Sequence, residues 1–169
     1  MIRKNFSALM LVLAGVLITA DQFIKAEVFA AAMKNGKELY IPVIKGVFAI
    51  QYETNTGIAF GFFKGQKWLL IGLTSLLLLA VFAALIGKWF RKAPMVLFSL
   101  TLLLAGGTGN LIDRVARGFV VDYLYFELIE FAIFNLADAL VTIGIAVMAA
   151  YVLFFEKGNL FTTKQGETK

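Results

Sequence analysis

Two aspartates, Asp122 and Asp138, have the surroundings expected of reactive carboxyl groups. Asp122 follows an apolar stretch at residues 119–121, and neither aspartate has a basic residue three or four positions away. Two carboxyl groups held together in an apolar pocket cannot both ionise readily, so they share one proton. The ionised member can then activate water while the protonated member polarises a carbonyl, which is the arrangement of aspartic peptidases. The chain has no histidine and no cysteine, and this chemistry needs neither.

Two other interpretations of these carboxylates stay open at this point. They could be unrelated surface groups, or they could join Asp21 and Asp113 in a carboxylate metal site. We favour the catalytic pair, and we predict neither a metal nor a cofactor.

Further polar residues gather near the same predicted depth, and each also has a simpler explanation. Asp21 and Lys25 are four residues apart and could form an ion pair on one helix face. The segment Asn55-Thr56-Gly57 could be only a turn, and glycines 106, 107 and 109 could serve helix packing. Arg114 could neutralise a carboxylate or meet a lipid phosphate. The complete set of candidates beside the two aspartates is Asp21, Lys25, Asn55, Gly57, Asn110, Asp113, Arg114 and Asn135.

Long apolar runs must position these groups. Of the 169 residues, 60% are hydrophobic, and the mean hydropathy is +0.84. A helix needs about 20 apolar residues to cross roughly 30 Å of hydrocarbon. We predict a single integral membrane domain with an all-α core of four transmembrane helices, at about residues 8–29, 68–90, 95–114 and 134–155.

The polar segments between the spans have different characters. Residues 36–65 are predicted to form a small extracytoplasmic β-rich module, with strands at 39–44 and 47–53 and a turn at Lys45-Gly46. Pro42 suits an edge strand. Residues 115–133 are predicted to be an extracytoplasmic loop, and residues 157–169 a disordered tail.

The distribution of charge predicts the orientation. One side of the membrane would carry eight basic and two acidic residues, net +6, and the other side eight basic and nine acidic residues, net −1, in agreement with the total of +5. Cytoplasmic loops carry the excess of Lys and Arg, so both termini are predicted to be cytoplasmic. All the candidate residues then lie at the outer face, and the basic excess gives no support to nucleic-acid binding. The N-terminal segment also resembles a secretory signal peptide, so a cleaved signal peptide is the alternative interpretation of the first span.

The chain resembles bacterial lipoprotein signal peptidase, also called signal peptidase II. The resemblance covers nearly the whole length and rests on five blocks in order. These are Asp21-Gln22-x-x-Lys25, Asn55-Thr56-Gly57-x-Ala59-Phe60, Gly106-Gly107-x-Gly109-Asn110-x-x-Asp113-Arg114, Val120-Val121-Asp122 and Phe134-Asn135-x-Ala137-Asp138.

The resemblance implies a membrane aspartic endopeptidase that removes the signal peptide from diacylglyceryl-modified prolipoproteins, just before the lipidated Cys. It implies that Asp122 and Asp138 are catalytic and that Asp21, Lys25 and Asp113 support the fold. It also implies that the β module cradles the substrate and that the loop before the fourth span covers the site. The residues implied to bind substrate or inhibitor, or to orient the pair, are Asn55, Gly57, Asn110, Arg114 and Asn135.

The same resemblance implies the surroundings in which the protein works. The protein is expected in the bacterial cytoplasmic (inner) membrane, in contact with phospholipid and with its active site at the outer leaflet. It is also expected to be a monomer and to be inhibited by the cyclic peptide globomycin. One departure is Tyr123, where the family usually has Phe, and the segment that follows is unusually apolar. The alternative is a non-enzymatic protein, such as a small transporter or an assembly factor.

Overall fold

Four long helices dominate the computed structural model, which describes residues 2–57, 66–87, 90 and 93–155. They are α1 (Ile2–Lys34), α2 (Lys67–Ile86), α3 (Pro94–Ala116) and α4 (Leu136–Phe154). All four are long and apolar enough to cross a membrane. The predicted class, a membrane protein with a four-helix core and a small β module, is therefore confirmed.

Helix α3 lies at the centre of the bundle. Just over half of its most apolar window is buried (56%), against 11–17% in the other three helices. Its glycines allow this close packing, because a Cβ at Gly106 would collide with the carbonyl oxygen of Ala137 on α4, and one at Gly107 would meet Leu78 on α2. The packing interpretation of these glycines is confirmed.

The predicted hairpin is also confirmed. Strand β1 (Tyr40–Ile44) pairs antiparallel with β2 (Phe48–Asn55) across a turn at residues 45–47. Gly46 has a φ of +73°, a conformation that favours glycine. Pro42 lies in β1, an edge strand of the sheet, where a missing N–H donor does least harm.

The predicted loop at 115–133 is wrong over part of its length, because Val120–Tyr125 forms a third strand, β3. It pairs antiparallel with β2, so that the sheet order is β1-β2-β3. This pairing joins segments far apart in sequence, and local pattern alone cannot predict such a partner. The pairing places Asp122 opposite Glu53 of β2. Residues 58–65 of the predicted module and the predicted tail at 157–169 lie outside the described residues.

Helix α4 begins later than predicted. Asn135 is its N-cap residue with an extended backbone (φ −133°, ψ 178°), and Asp138 is the third helical residue. Their spacing of three positions would place Asn135 and Asp138 on one helix face if the fourth span were helical from Phe134, but that expectation is wrong because Asn135 lies outside the helix. They instead form a reciprocal capping box, in which each side chain accepts from the other's backbone N–H. Helix α1, in contrast, continues unbroken through the buried Asp21.

Candidate active site

Asp122 lies in the middle of β3 and is only 2% exposed. Its two carboxylate oxygens accept from two different amides. Asn55 Nδ2 donates to Oδ2 at 3.0 Å, and Asn135 Nδ2 donates to Oδ1 at 2.6 Å. Strand pairing positions the first donor, and the N-cap of α4 positions the second.

Asp138 is held by the first turn of α4 and by α3. Its Oδ2 accepts from the backbone N–H of Asn135 at 3.2 Å, and its Oδ1 accepts from Asn110 Nδ2 at 2.7 Å. The backbone N–H of Asp138 in turn donates to Asn135 Oδ1 at 3.0 Å. The cap therefore fixes the rotamer of Asp138 as well as the start of the helix.

Asn135 is the residue that joins the two aspartates. Its side-chain N–H donates to Asp122 and its backbone N–H donates to Asp138. Its Nδ2 also donates to Asn110 Oδ1 at 3.2 Å. The structure thus brings together five of the sequence candidates in one network of amides and carboxylates: Asn55, Asn110, Asp122, Asn135 and Asp138.

This environment makes Asp122 hard to ionise. Burial is the main cause that raises the pKa of Asp122 to about 7, and the nearby carboxylate of Asp138 is the second. The hydrogen bonds from the Asn55 and Asn135 side-chain amides lower this pKa and so act in the opposite direction. Within the described residues, neither Asp122 nor Asp138 forms an ion pair. Asp122 can therefore gain or lose a proton near neutral pH.

Arg114 lies beside this network and fixes the turn after β2. Its Nη2 donates to the carbonyl oxygen of Gly57 at 2.9 Å, and the N–H of Gly57 donates to Asn55 Oδ1 at 2.9 Å. The turn interpretation of residues 55–57 is confirmed, and the turn also presents Asn55 to Asp122. Arg114 Nε is buried and has no hydrogen-bond partner among the described residues.

A second charged cluster lies behind the site. Lys25 is fully buried and pairs with Asp21 at 2.9 Å and with Asp113 at 3.3 Å. Arg117 also pairs with Asp113. The predicted pairing of Asp21 with Lys25 is confirmed.

Both carboxylates of this second cluster also accept from backbone groups next to the site. Asp21 Oδ1 accepts from the N–H of Ala137 in the first turn of α4 at 3.1 Å. Asp113 Oδ2 accepts from the N–H of Val121 in β3 at 3.1 Å. The four aspartates therefore form two separate pairs with different partners. The single four-carboxylate cluster that the metal interpretation required is not found among the residues that the structure describes.

Sequence reasoning missed three participants. Gln22 donates to the carbonyl oxygen of Gly109 at 3.0 Å and so ties α1 to α3. Arg117 follows Asp113 by four positions, a spacing that could have indicated its ion pair. The buried Tyr123 hydroxyl accepts from the N–H of Leu136, the first residue of α4, at 3.3 Å. No local signal predicts this contact.

The segment that follows β3 is tied to the hairpin. Glu127 accepts from the Tyr40 hydroxyl at 3.1 Å and from the N–H of Gly46 at 3.2 Å. Glu127 begins a 3-10 turn, Glu127–Ile129, and the other two side chains of this turn, Leu128 and Ile129, are apolar and 70% and 67% exposed. This segment therefore presents an apolar surface above the bundle.

Comparison with known proteins agrees with this architecture and these motifs. The family described as signal peptidase (SPase) II matches residues 13–154. A lipoprotein signal peptidase of Brevibacillus brevis is 37% identical over 147 residues, which cover 87% of this chain and 96% of that protein. One from Streptococcus thermophilus is 38% identical over 143 residues, which cover 85% and 91%.

Two solved structures share the fold. A bacterial membrane enzyme solved by the in meso method at 2.3 Å resolution superimposes with a TM-score of 0.76 at 26% identity, covering 96% of this chain and 95% of that one. A second, at 1.9 Å resolution, gives 0.75 at 29% identity and covers 88% and 94%. These relatives confirm the predicted peptidase and argue against a transporter or an assembly factor. The chain belongs to the signal peptidase II family, whose members are peptidases that remove signal peptides from prolipoproteins.

Proposed function

We propose that Asp122 and Asp138 are the catalytic pair of this peptidase and that they work as an aspartic dyad. The observation that carries the proposal is their placement: two buried or half-buried carboxylates, joined through Asn135, with amide donors in place of cations. A pKa of about 7 for Asp122 leaves that group neither fully protonated nor fully ionised at neutral pH.

The reaction follows from one shared proton. The ionised carboxylate takes a proton from water as the water oxygen attacks the scissile carbonyl carbon, and the protonated carboxyl donates its proton to the carbonyl oxygen. When the gem-diol intermediate collapses, one of its hydroxyl groups returns a proton to the ionised carboxylate, the peptide C–N bond breaks, and the carboxyl group that took the water proton donates it to the leaving nitrogen. The dyad then again holds one proton. Neither a metal nor a cofactor is required.

The residues around the pair supply the means to hold a peptide. Asn55, Gly57, Asn110, Arg114 and Asn135 surround the dyad, and we assign them to substrate binding or to orientation of the dyad. The buried Nε of Arg114 is a charged donor suited to a peptide carbonyl oxygen. By family resemblance the substrate is a diacylglyceryl-modified prolipoprotein, cut before the lipidated Cys. Globomycin is expected to occupy the same site.

The distribution of charge supports an orientation with both termini in the cytoplasm and the dyad at the outer leaflet of the inner membrane. In that orientation the sheet and the segment 126–134 lie at the membrane surface, where exposed side chains such as Leu128 and Ile129 can contact phospholipid. By family resemblance we expect the protein to work as a monomer.

The decisive experiment measures cleavage of a lipidated precursor by the purified protein, with and without globomycin. Asp122→Asn and Asp138→Asn should each lower the rate by at least about 100-fold while the protein stays folded. Glu53→Gln is the matched control, because Glu53 is the exposed carboxylate directly opposite Asp122 in the sheet, and it should cleave normally. Cleavage that persists in either aspartate variant would refute the assignment.

A further inference from the structure

Lys25 has a contact that a residue serving only the fold would not need. Its ammonium group is fully buried and carries three N–H donors. Two of them meet the carboxylates of Asp21 and Asp113. The third meets a neutral group, Asn110 Oδ1, at 2.8 Å, which is the shortest of the three contacts. Lys25 therefore connects the charged cluster to the network around the dyad.

This contact determines which way the Asn110 amide points. Asn110 Oδ1 accepts from Lys25 Nζ and from Asn135 Nδ2, so both of its acceptor positions are used. Its Nδ2 is then directed at Asp138 Oδ1. The reversed amide would place an oxygen against the Asp138 carboxylate and an N–H against the ammonium, and both contacts would be repulsive.

We propose that Lys25 is a positioning residue for the proteolytic reaction: it orients the Asn110 amide, which in turn holds Asp138 and the Asn135 side chain in place for the dyad. The inference rests on the proposed function. The proposed function assigns roles to residues that touch the dyad or the substrate. The inference adds Lys25, which acts on the dyad only through Asn110.

The charge of Lys25 provides a readout that a purely structural role would not affect. The charged groups on the surrounding elements are Asp21 on α1, Asp113 and Arg114 on α3, Arg117 directly after α3, Asp138 on α4 and Asp122 on β3. The positive charge of Lys25 lowers the pKa of Asp122 and so opposes the effect of burial. Removal of this charge should raise the pKa of Asp122 further, so that the acid limb of the activity profile moves to higher pH.

The test uses the full chain and a lipidated precursor. The variant is Lys25→Met combined with Asp21→Asn, which removes one cation and one carboxylate together and leaves Asp113 paired with Arg117. Asp21→Asn alone is the matched control, since an amide oxygen can still accept from the N–H of Ala137. Relative to that control, the double variant should lose about tenfold or more in kcat with little change in KM, and its acid limb should move to higher pH.

A third variant, Lys25→Gln with Asp21→Asn, keeps an N–H donor for Asn110 but no charge. It should regain part of the lost kcat while its acid limb stays shifted. It also keeps the test decisive if the Met variant does not fold, because the shifted limb can be measured in the Gln variant alone. An unchanged kcat and an unchanged acid limb relative to Asp21→Asn would overturn the inference.

Failure of this inference is distinguishable from failure of the proposed function. If Asp122→Asn and Asp138→Asn abolish cleavage but removal of Lys25 leaves kcat and the pH profile unaltered, only the role of Lys25 is lost. If the aspartate variants still cleave, the dyad itself is wrong.

Discussion

Two pairs of aspartates lie next to each other in this protein, and they differ in what neutralises them. Asp21 and Asp113 are fully buried and bind Lys25 and Arg117. Asp122 and Asp138 receive hydrogen bonds from asparagine amides and from a backbone N–H. A cation beside a buried carboxylate compensates its charge more fully than amide donors do. We therefore propose that the first pair supports the fold and that the second pair is the reactive one.

Asn110 forms the boundary between the two pairs. It accepts from the cation of the first pair and donates to a carboxylate of the second. Because Asn110 is neutral, the charged cluster can orient the dyad through it without forming an ion pair with either dyad aspartate. A direct ion pair would hold that aspartate in its ionised form.

Removal of a carboxylate from the charged pair should have the largest effect on stability. Asp113→Ala leaves Arg117 and the N–H of Val121 without their partner and Lys25 with only one carboxylate. We expect a loss of about 3–5 kcal/mol in the free energy of unfolding. Asp122→Asn unpairs no cation and replaces a carboxyl group that burial makes hard to ionise, so it should cause no loss of this size. Unfolding by denaturant in detergent micelles measures both, and equal losses would show that the two pairs do not differ as described.

A second variant moves the dyad without altering any carboxylate. Gly106→Ala forces a Cβ against the backbone of α4 at Ala137, next to Asp138, and should cost about 1–3 kcal/mol together with most of the cleavage activity. Gly107→Ala is the matched control, because its Cβ meets only the end of the Leu78 side chain, which can move. Thermal unfolding and a cleavage assay on both variants compare them. Equal behaviour of the two would argue against a role for the α3–α4 contact in placing Asp138.

A smaller effect is expected in the pH dependence of stability. The pKa of Asp122 is raised from 3.8 to about 7 in the folded protein. A raised carboxyl pKa means that the protonated form is the one favoured by folding. The stabilisation is therefore fully present below about pH 4 and is lost as the pH rises through 7. Between pH 6 and pH 8 the loss should be about 1.4 kcal/mol.

Asp122→Asn should abolish this loss of unfolding free energy between pH 6 and pH 8, because the amide does not titrate. The measurement is the unfolding free energy of both proteins across this pH range. The same decrease in both proteins would assign the pH dependence to another group.

The sequence predicts the bundle and the hairpin well because both rest on local patterns. Apolar length identifies the four spans, and β-branched segments around Lys45-Gly46 identify β1 and β2. The strand β3 and the N-cap at Asn135 were missed for different physical reasons. The strand exists only because β2 pairs with it, a contact between distant segments. The start of α4 depends on the extended backbone conformation of Asn135. The apolar pattern already begins near Phe134, so the pattern alone does not indicate that the helix starts later.

The site was predicted as a set of residues but not as a network. Charge distribution places the polar groups at one face, and the motif blocks identify which of them matter by resemblance. The amide bridge through Asn135 and the contact of Lys25 with Asn110 depend on side-chain directions in three dimensions. Such directions cannot be deduced from spacing along the chain.

A titration of the Asp122 carboxyl group itself tests directly whether the two aspartates share a proton. The chain has only four aspartates, so carbon-13 NMR of protein labelled at the aspartate carboxyl carbon gives few signals, each assigned by its Asp→Asn variant. We predict that Asp122 titrates with a pKa of about 7, and at a lower pH when Asp138→Asn removes the neighbouring carboxylate. An Asp122 that is fully ionised at pH 5, with or without Asp138, would contradict a proton shared between the two.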